Sequence, residues 1–383
     1  MGTDIIALTL SGGGSRAIAF HLGCMRALHD HGILKNIAVI SSVSGGSVIG
    51  ALYAYSHDDF DAFEARVKAL LHRGIFCRAL GHFLNPVFFL KWLGSLILVV
   101  PFNIILRLAF WLFKRRFRPP IIRRWATLTD ALLYAIRKEI GNKDLKAVER
   151  SGLTVVINAC ELRSATSFRF GSEKAANWQL GTLEDGQVDV AFAVAASAAY
   201  PVLLPSLDRT FTFIKGEHRW RMRVALSDGG VFENLGISSV EPSDSPQKKS
   251  LHYPAKYILC CSAGSGQFRR SPVPSTFYRR ISQTFETVFK KGQDAAMNRL
   301  FMHQKKGSMK GFMLAYLGMK DEELDASVVP EGFIGRRLVM GYPTDFSAMK
   351  KKNIRLLTER GRQVTNAVLA MHLPKDKHPS LYR

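Results

Sequence analysis

Residues 42–46, Ser-Val-Ser-Gly-Gly, place a hydroxyl nucleophile, Ser44, where a β-branched apolar run stops and small residues begin. The pattern is that of a G-x-S-x-G elbow whose first glycine is Ser42. Such an elbow needs small neighbours, including Gly46, because the nucleophile's backbone is strained and the flanking turns pass close to it. A second stretch, Ser11-Gly12-Gly13-Gly14-Ser15-Arg16, follows a compact apolar strand at 4–10. It opens a helical pattern in which Ile18, Leu22, Met25 and Leu28 share a face and Gly32 lies just past the end. Strand, glycine loop and helix form a cradle that turns backbone N–H groups toward an anion. The third stretch is Asp228-Gly229-Gly230. It closes a half-buried strand in which Arg219, Arg221 and Arg223 alternate with Trp220, Met222 and Val224. A carboxylate there sits at a strand's carboxyl end, where open α/β sheets build their sites.

Each stretch has a plainer reading. Ser44 could mark an ordinary turn, and Asp-Gly is the commonest kind of turn dipeptide. The glycine loop also satisfies a dinucleotide fingerprint through Gly12, Gly14 and Ala17. That reading requires an acidic residue closing the second strand to hold a ribose, and the second strand, Asn36–Val43, ends in serines. The dinucleotide reading fails there.

The elements that must position these groups belong to a chain long enough for one large domain or two. Its 383 residues are 47% hydrophobic and 22% charged, a globular composition with no low-complexity signature. The five cysteines, Cys24, Cys77, Cys160, Cys260 and Cys261, show no C-x-x-C spacing. They fit a reducing compartment rather than a disulfide framework or a zinc site, and no cluster of acidic, His or Cys residues calls for a metal or other cofactor. The amino terminus lacks a basic leader and reads as a strand, so the expectation is a cytoplasmic protein without a signal peptide.

The net charge of +22 is unevenly spread. Between Glu64 and Asp130 there is no acidic residue, and the stretch carries twelve lysines and arginines. Density of this kind points to a polyanionic partner. The same stretch is also the most apolar: from Ala79 to Phe113 the only Lys or Arg residues are Lys91 and Arg107. Nucleic-acid patches do not carry long aliphatic runs, whereas membrane-surface elements combine Trp, Phe and Leu with an adjoining basic cluster, here Trp92, Arg107, Trp111, Lys114, Arg115 and Arg116. An anionic membrane surface is therefore expected and nucleic acid is not. Two spans need roughly forty apolar residues, and one would separate flanks that read as one domain. The expectation is an in-plane or re-entrant insertion broken at Pro101, or a lid over the protein's own pocket.

Taken in order, the glycine loop, the Ser44 elbow and Asp228-Gly-Gly resemble the patatin-like phospholipases and the related cytosolic phospholipases of the A type. Residues 11–34 resemble the family's first block, 193–206 its middle block and 228–236 its last. The resemblance covers about 4–60 and 150–240, extends plausibly to the helix at 353–372, and is absent from 65–145. It implies a doubly wound α/β sandwich; joined to the charge and hydropathy pattern, the expectation is one domain over 1–383 with a largely helical basic and apolar insertion at 65–148. It also implies an acyl-ester hydrolase with a Ser–Asp dyad, Ser44 as nucleophile and Asp228 as its partner. Amides of the loop Gly12, Gly13 and Gly14 would form the oxyanion hole, Arg16 would order that loop or meet a phosphate, and Gly46, Gly229 and Gly230 would support the turns. Ser42 is the one departure from the family pattern, and it bears on the elbow's geometry.

A dyad without histidine makes the aspartate the direct base, a poor one unless an apolar pocket raises its pKa. His21 is read as structural, Ser47 as a first-turn helix residue, Ser265 as a rim loop, and Ser197 with Tyr200-Pro201 as pocket wall. The expected substrate is a phospholipid or lysophospholipid. A soluble carboxylesterase or thioesterase with a lid, or a lipid-binding protein with an idle site, are the alternatives. No activating ligand or oligomeric state is legible.

Overall fold

The computed structural model describes residues 4–112, 122–201, 203–243, 250–264, 273–325 and 327–382, the side chain of Tyr278 excepted. The chain opens with β1 (Ile6–Leu10), α1 (Gly14–Asp30), β2 (Val39–Val43) and α2 (Gly45–Ala54). The helices α3 (Phe60–Arg73), α4 (Ile75–Gly81), α5 (Pro86–Gly94), α6 (Val100–Leu112) and α7 (Leu128–Ile140) follow. Next come β3 (Thr154–Glu161), β4 (Thr166–Gly171), β5 (Ala175–Asn177), β6 (Gly181–Leu183), α8 (Val190–Ser197), β7 (Leu207–Lys215) and β8 (His218–Asp228). The chain closes with β9 (Tyr257–Ser262), α9 (Phe277–Lys305), β10 (Gly311–Tyr316) and α10 (Lys351–His372).

The strands form one sheet in the order β10-β9-β1-β2-β3-β4-β5-β6-β7-β8. From β10 to β3 every pair is parallel, and from β3 to β8 every pair is antiparallel. β1 and β2 are buried throughout, as strands covered on both faces must be. Leu8, Leu10, Ile40 and Leu259 face the larger core with α1, α2, α3, α7, α8 and α10. Ala7, Val39, Val156 and Ile258 face a smaller one, closed by Leu235, Ile237 and Val240 and by Ala296 and Leu300 of α9. The result is the expected α/β sandwich with unequal layers.

Two registers decide where the chemistry can sit. β2 pairs with β3 from Val39↔Thr154 to Val43↔Asn158. β8 pairs with β3 in the opposite direction from Leu226↔Glu161 to Asp228↔Ala159. Because β4 holds the other edge of β3, β2 and β8 share one edge and meet end to end. The residue leaving β2 and the last residue of β8 are thereby delivered to one place.

The 65–148 segment is less separate than its composition suggests. Val67, Leu70 and Leu71 of α3 and Ala131, Leu132, Ala135 and Ile136 of α7 belong to the larger core. What stands out is the helical run Pro86–Leu112, with mean hydropathy 2.1 and only 11% of its most apolar window buried. Pro101 does not break it, contrary to expectation. A widened π turn at Ser95–Val99 precedes the proline and absorbs its missing N–H and ring. Ser95 and Val99 are its buried residues. Ser95 Oγ accepts from the N–H groups of Trp125 and Ala126, and Asn103 bonds both the N–H and the carbonyl of Ile122. The returning chain thus runs back along the helix, so both flanks lie on one side. Trp92 is half-buried and Arg107 and Trp111 are exposed, while Lys114, Arg115 and Arg116 lie outside the described residues.

α1 carries the glycine loop at its start, and its packing on α10 fixes that loop. The two helices touch backbone to backbone: a Cβ on Gly23 would lie 1.8 Å from the Thr358 carbonyl oxygen, and one on Gly361 2.1 Å from that of Phe20. Gly23→Ala is expected to cost about 1–3 kcal/mol by overpacking, read as a lowered midpoint in thermal or denaturant unfolding. Gly81→Ala, with nothing within 4 Å, should leave the midpoint in place; equal effects from both would contradict the close crossing.

Candidate active site

Ser44 occupies the corner between β2 and α2 with φ 51 and ψ −118, a conformation that L residues rarely adopt. Its neighbours explain how the corner closes. A Cβ on Gly45 would lie 2.3 Å from the Gly14 carbonyl oxygen, and one on Gly46 2.3 Å from that of Leu10. Gly45, which the motif reading passed over, thus presses the elbow against the glycine loop. Ser42, in the position where a glycine is usual, stays inside β2 with its hydroxyl 3.4 Å from the Val156 carbonyl. The elbow forms without the first glycine.

The strained corner is held from below. Ser197 Oγ accepts from the Ser44 N–H at 2.9 Å, donates to the Asn158 carbonyl at 2.6 Å, and meets Ser47 Oγ at 2.9 Å. Ser197 is therefore a buried brace under the elbow rather than pocket wall, and Ser47 lies in the first turn of α2. Asn158 donates from Nδ2 to Ser41 Oγ and the Ser42 carbonyl, tying β3 to β2 at the same level. Asn158 carries no motif, and Ser197, though it lies in the 193–206 block, shows its bracing role only through the tertiary pairing.

Asp228 ends β8 beside the elbow. The Ser44 side chain lies near enough to its carboxylate to hold the carboxyl pKa down, and the Gly230 N–H donates to Oδ1 at 2.7 Å. Its own N–H donates to the Ala199 carbonyl, which seats Tyr200 next to the acid. Burial pushes the carboxyl from 3.8 to about 6, and the Gly230 bond and the Ser44 side chain pull only part of the way back. A Cβ on Gly229 would lie 2.3 Å from the Asn158 carbonyl oxygen, so the turn after the acid also needs glycine. His21 is fully buried, with its pKa pushed down to about 3 by desolvation. It is neutral and forms no part of this constellation.

The glycine loop divides its amides. The Gly12 N–H donates to the Asn234 carbonyl at 3.2 Å, and the Ser15 N–H to the Asp345 carbonyl at 2.6 Å. Gly12 is thus not a free donor, against expectation. Its lack of a side chain serves close approach instead, since a Cβ would lie 2.3 Å from Asn234 Oδ1 and 3.2 Å from Ser44 Cβ. Gly13 and Gly14, at φ 141 and 58, keep N–H groups for which no acceptor occurs among the described residues. They lie at the amino end of α1, where the helix leaves its first amides unpaired and its dipole favours negative charge. Arg16 Nη1 donates to the Tyr342 carbonyl at 3.2 Å, fastening the first turn of α1 to the carboxyl-terminal segment. Ser265 lies outside the described residues.

A family model for patatin-like phospholipase matches residues 8–240. Over 83 residues the sequence is 41% identical to Lysophospholipase NTE1 of Eremothecium gossypii, a match spanning 21% of this chain and 5% of that protein's length. Among solved structures, human GIVD cytosolic phospholipase A2 superposes with TM-score 0.51 at 11% identity, over 100% of this chain and 63% of that one. VipD from Legionella pneumophila superposes with TM-score 0.42 at 14% identity, over 97% and 67%. This chain therefore spans under two thirds of the human enzyme and a small part of the fungal protein, and the structural likeness to the human enzyme is one of fold.

Burial of Asp228 has a consequence for stability whose sign is fixed. Between 3.8 and about 6 the folded protein holds a proton that the unfolded chain has released. Stability therefore falls as pH rises through that window, and the whole cost is present above it. Asp228→Asn removes the buried charge while keeping an acceptor for Gly230. It is expected to be more stable than the parent at pH 8, by up to about 3 kcal/mol, and to lose that advantage below about pH 4. Denaturant unfolding at the two pH values measures the difference; a parent as stable as the variant at pH 8 would refute a destabilised carboxylate.

Proposed function

Because this chain belongs to the patatin-like phospholipase family, we propose that it hydrolyses fatty-acyl esters of phospholipids or lysophospholipids at a membrane surface. Ser44 is the nucleophile and Asp228 its proton partner. One observation carries the reading: a serine on a strained elbow, next to a buried carboxylate whose pKa it lowers, beside the amides of Gly13 and Gly14, for which no acceptor occurs among the described residues.

The chemistry follows from those positions. Ser44 Oγ attacks the ester carbonyl carbon as its proton passes to Asp228. The carbonyl oxygen becomes an oxyanion that the N–H groups of Gly13 and Gly14 receive, each such donor being worth about 3 kcal/mol. Collapse breaks the ester bond, and the leaving alcohol takes the proton from Asp228. A water then gives its proton to Asp228 and attacks the acyl-enzyme, and the fatty acid leaves as the proton returns to Ser44. A carboxyl with a pKa of about 6 suits both directions of transfer far better than one near 3.8.

The membrane part of the reading rests on the Pro86–Leu112 helix. Val87, Leu90, Ile97, Pro101, Ile104, Leu108 and Trp111 recur at helical spacing along its outer face, and all are exposed. The inner face is latched to residues 122–126, so insertion is in-plane, with the helix lying along the acyl boundary. We read one acyl-hydrolase domain over 1–383, with this helix as the exposed part of the 65–148 insertion. A helix so little buried speaks against a lid closed on its own pocket. The five free cysteines suit a cytoplasmic enzyme.

Release of fatty acid from mixed anionic liposomes tests the dyad. Ser44→Ala and Asp228→Asn are each expected to lower the rate by at least about a hundredfold, with parental kcat/KM rising through an apparent pKa of about 6 as Asp228 ionises. Parental rates in either variant would remove that residue from the chemistry. Ile104→Asp and Leu108→Asp should each weaken sedimentation with anionic vesicles about tenfold; undiminished binding would detach the helix from the membrane role.

A further inference from the structure

The candidate site is nearly sealed: Ser44 is 6% exposed and Asp228 3%. A fatty-acyl ester must pass some cover to reach it, and the first half of α9 meets residues that flank the site. Gly292 divides this helix, with nothing within 4 Å of where its Cβ would be. Beyond Gly292, Ala296 and Leu300 are fully buried in the smaller core. Before it, no described side chain between Phe277 and Lys291 is buried.

The stripe that ends in Ala296 and Leu300 continues backward at spacings of three and four through Gln293, Phe289 and Glu286. Its partners bracket the site. The ring of Phe289 meets that of Tyr200 at 6.1 Å and 72°, and Phe285 meets Phe289 edge-on at 6.1 Å. Tyr200 follows Ala199, whose carbonyl accepts from the Asp228 N–H and the Ser227 hydroxyl. At the other end the charge of Glu286 acts on Arg16, beside the glycine loop. One face of α9 therefore carries both the ring that touches Tyr200, next to the acid, and the charge that acts on Arg16, next to the glycine loop. Neither phenylalanine is needed to close a core, since both are only half-buried.

We propose that the first half of α9 is the roof of the acyl-chain site, and that Phe285 and Phe289, against Tyr200, set the preference for acyl length. The inference rests on Ser44 and Asp228 being the acyl-transfer pair. A methylene chain has no polar handle, so its recognition requires an apolar wall at the distance the chain reaches. A long acyl group leaving the Ser44 region between loop and helix meets these rings, and a short one stops before them.

The test compares p-nitrophenyl palmitate with p-nitrophenyl butyrate, reading the ratio of their kcat/KM values in the parent, Phe289→Ala, Phe289→Leu and Ser44→Ala. Removal of the ring is expected to lower the palmitate-to-butyrate ratio about tenfold, and leucine should restore most of it. An unchanged ratio in Phe289→Ala overturns the roof, as does an equal rise for both esters, which would make α9 a plug. Activity persisting in Ser44→Ala on both esters would instead overturn the acyl-transfer reading beneath it. A silent Ser44→Ala with an unaltered ratio sinks the roof alone.

Discussion

The site depends on two strands of opposite direction sharing one edge of β3. β2 leaves that edge at Asn158 and β8 arrives on it at Ala159, so a serine and an aspartate distant in sequence abut without a loop having to bring them together. Positions fixed by a sheet ladder are precise, because a slip of one residue would turn every side chain to the other face. The remaining groups fit around that junction. Ser197 and Asn158 hold the underside of the elbow, Gly45, Gly46 and Gly229 are places where backbones approach too closely for a side chain, and at Gly12 the Asn234 side chain takes that room.

That geometry stores unfavourable energy in two forms, a positive φ at a serine and a carboxylate without water around it. Strain of the first kind costs on the order of 1–3 kcal/mol. Both are tolerated because the surrounding frame is large and tightly packed, with α1 and α10 crossing at glycines beneath the loop that supplies the amides. On the proposed reading, substitutions that relax either feature gain stability at the expense of chemistry, the trade expected of a reactive centre.

The three stretches that the fold gathers at the candidate site were legible in the sequence because each demands a rare local composition. Clustered glycines, a serine among small residues and an aspartate before paired glycines have few other uses in that order. The alternation along β8 and the compact apolar run of β1 likewise announced those strands. Contributions made by common residues were not legible. Ser197 and Asn158 act through single hydrogen bonds set by the pairing of β2 with β3, and Gly12 proved to be a contact point because its amide is taken by the Asn234 carbonyl, which no spacing foretells. Pro101 misled for a related reason: proline reads as a stop, yet a π turn one step earlier lets the helix run through.

The same carboxyl-terminal segment that holds the first turn of α1 also braces the turn between α3 and α4, which precedes the exposed apolar helix. Asp345 offers its carbonyl to Ser15, while Phe346 accepts from the Phe76 N–H and the Met349 N–H donates to Leu71. The turn between α3 and α4 is tight there as well, since a Cβ on Gly74 would lie 2.5 Å from the Ala348 amide. The first turn of α1, residues 345–349 and the turn between α3 and α4 are thus linked by short backbone bonds. A helix latched in this way cannot choose its tilt independently of the site. If it lies along a bilayer, the attitude of the Ser44 cleft toward the lipid is set by the fold itself, and a single insertion fixes both attachment and orientation.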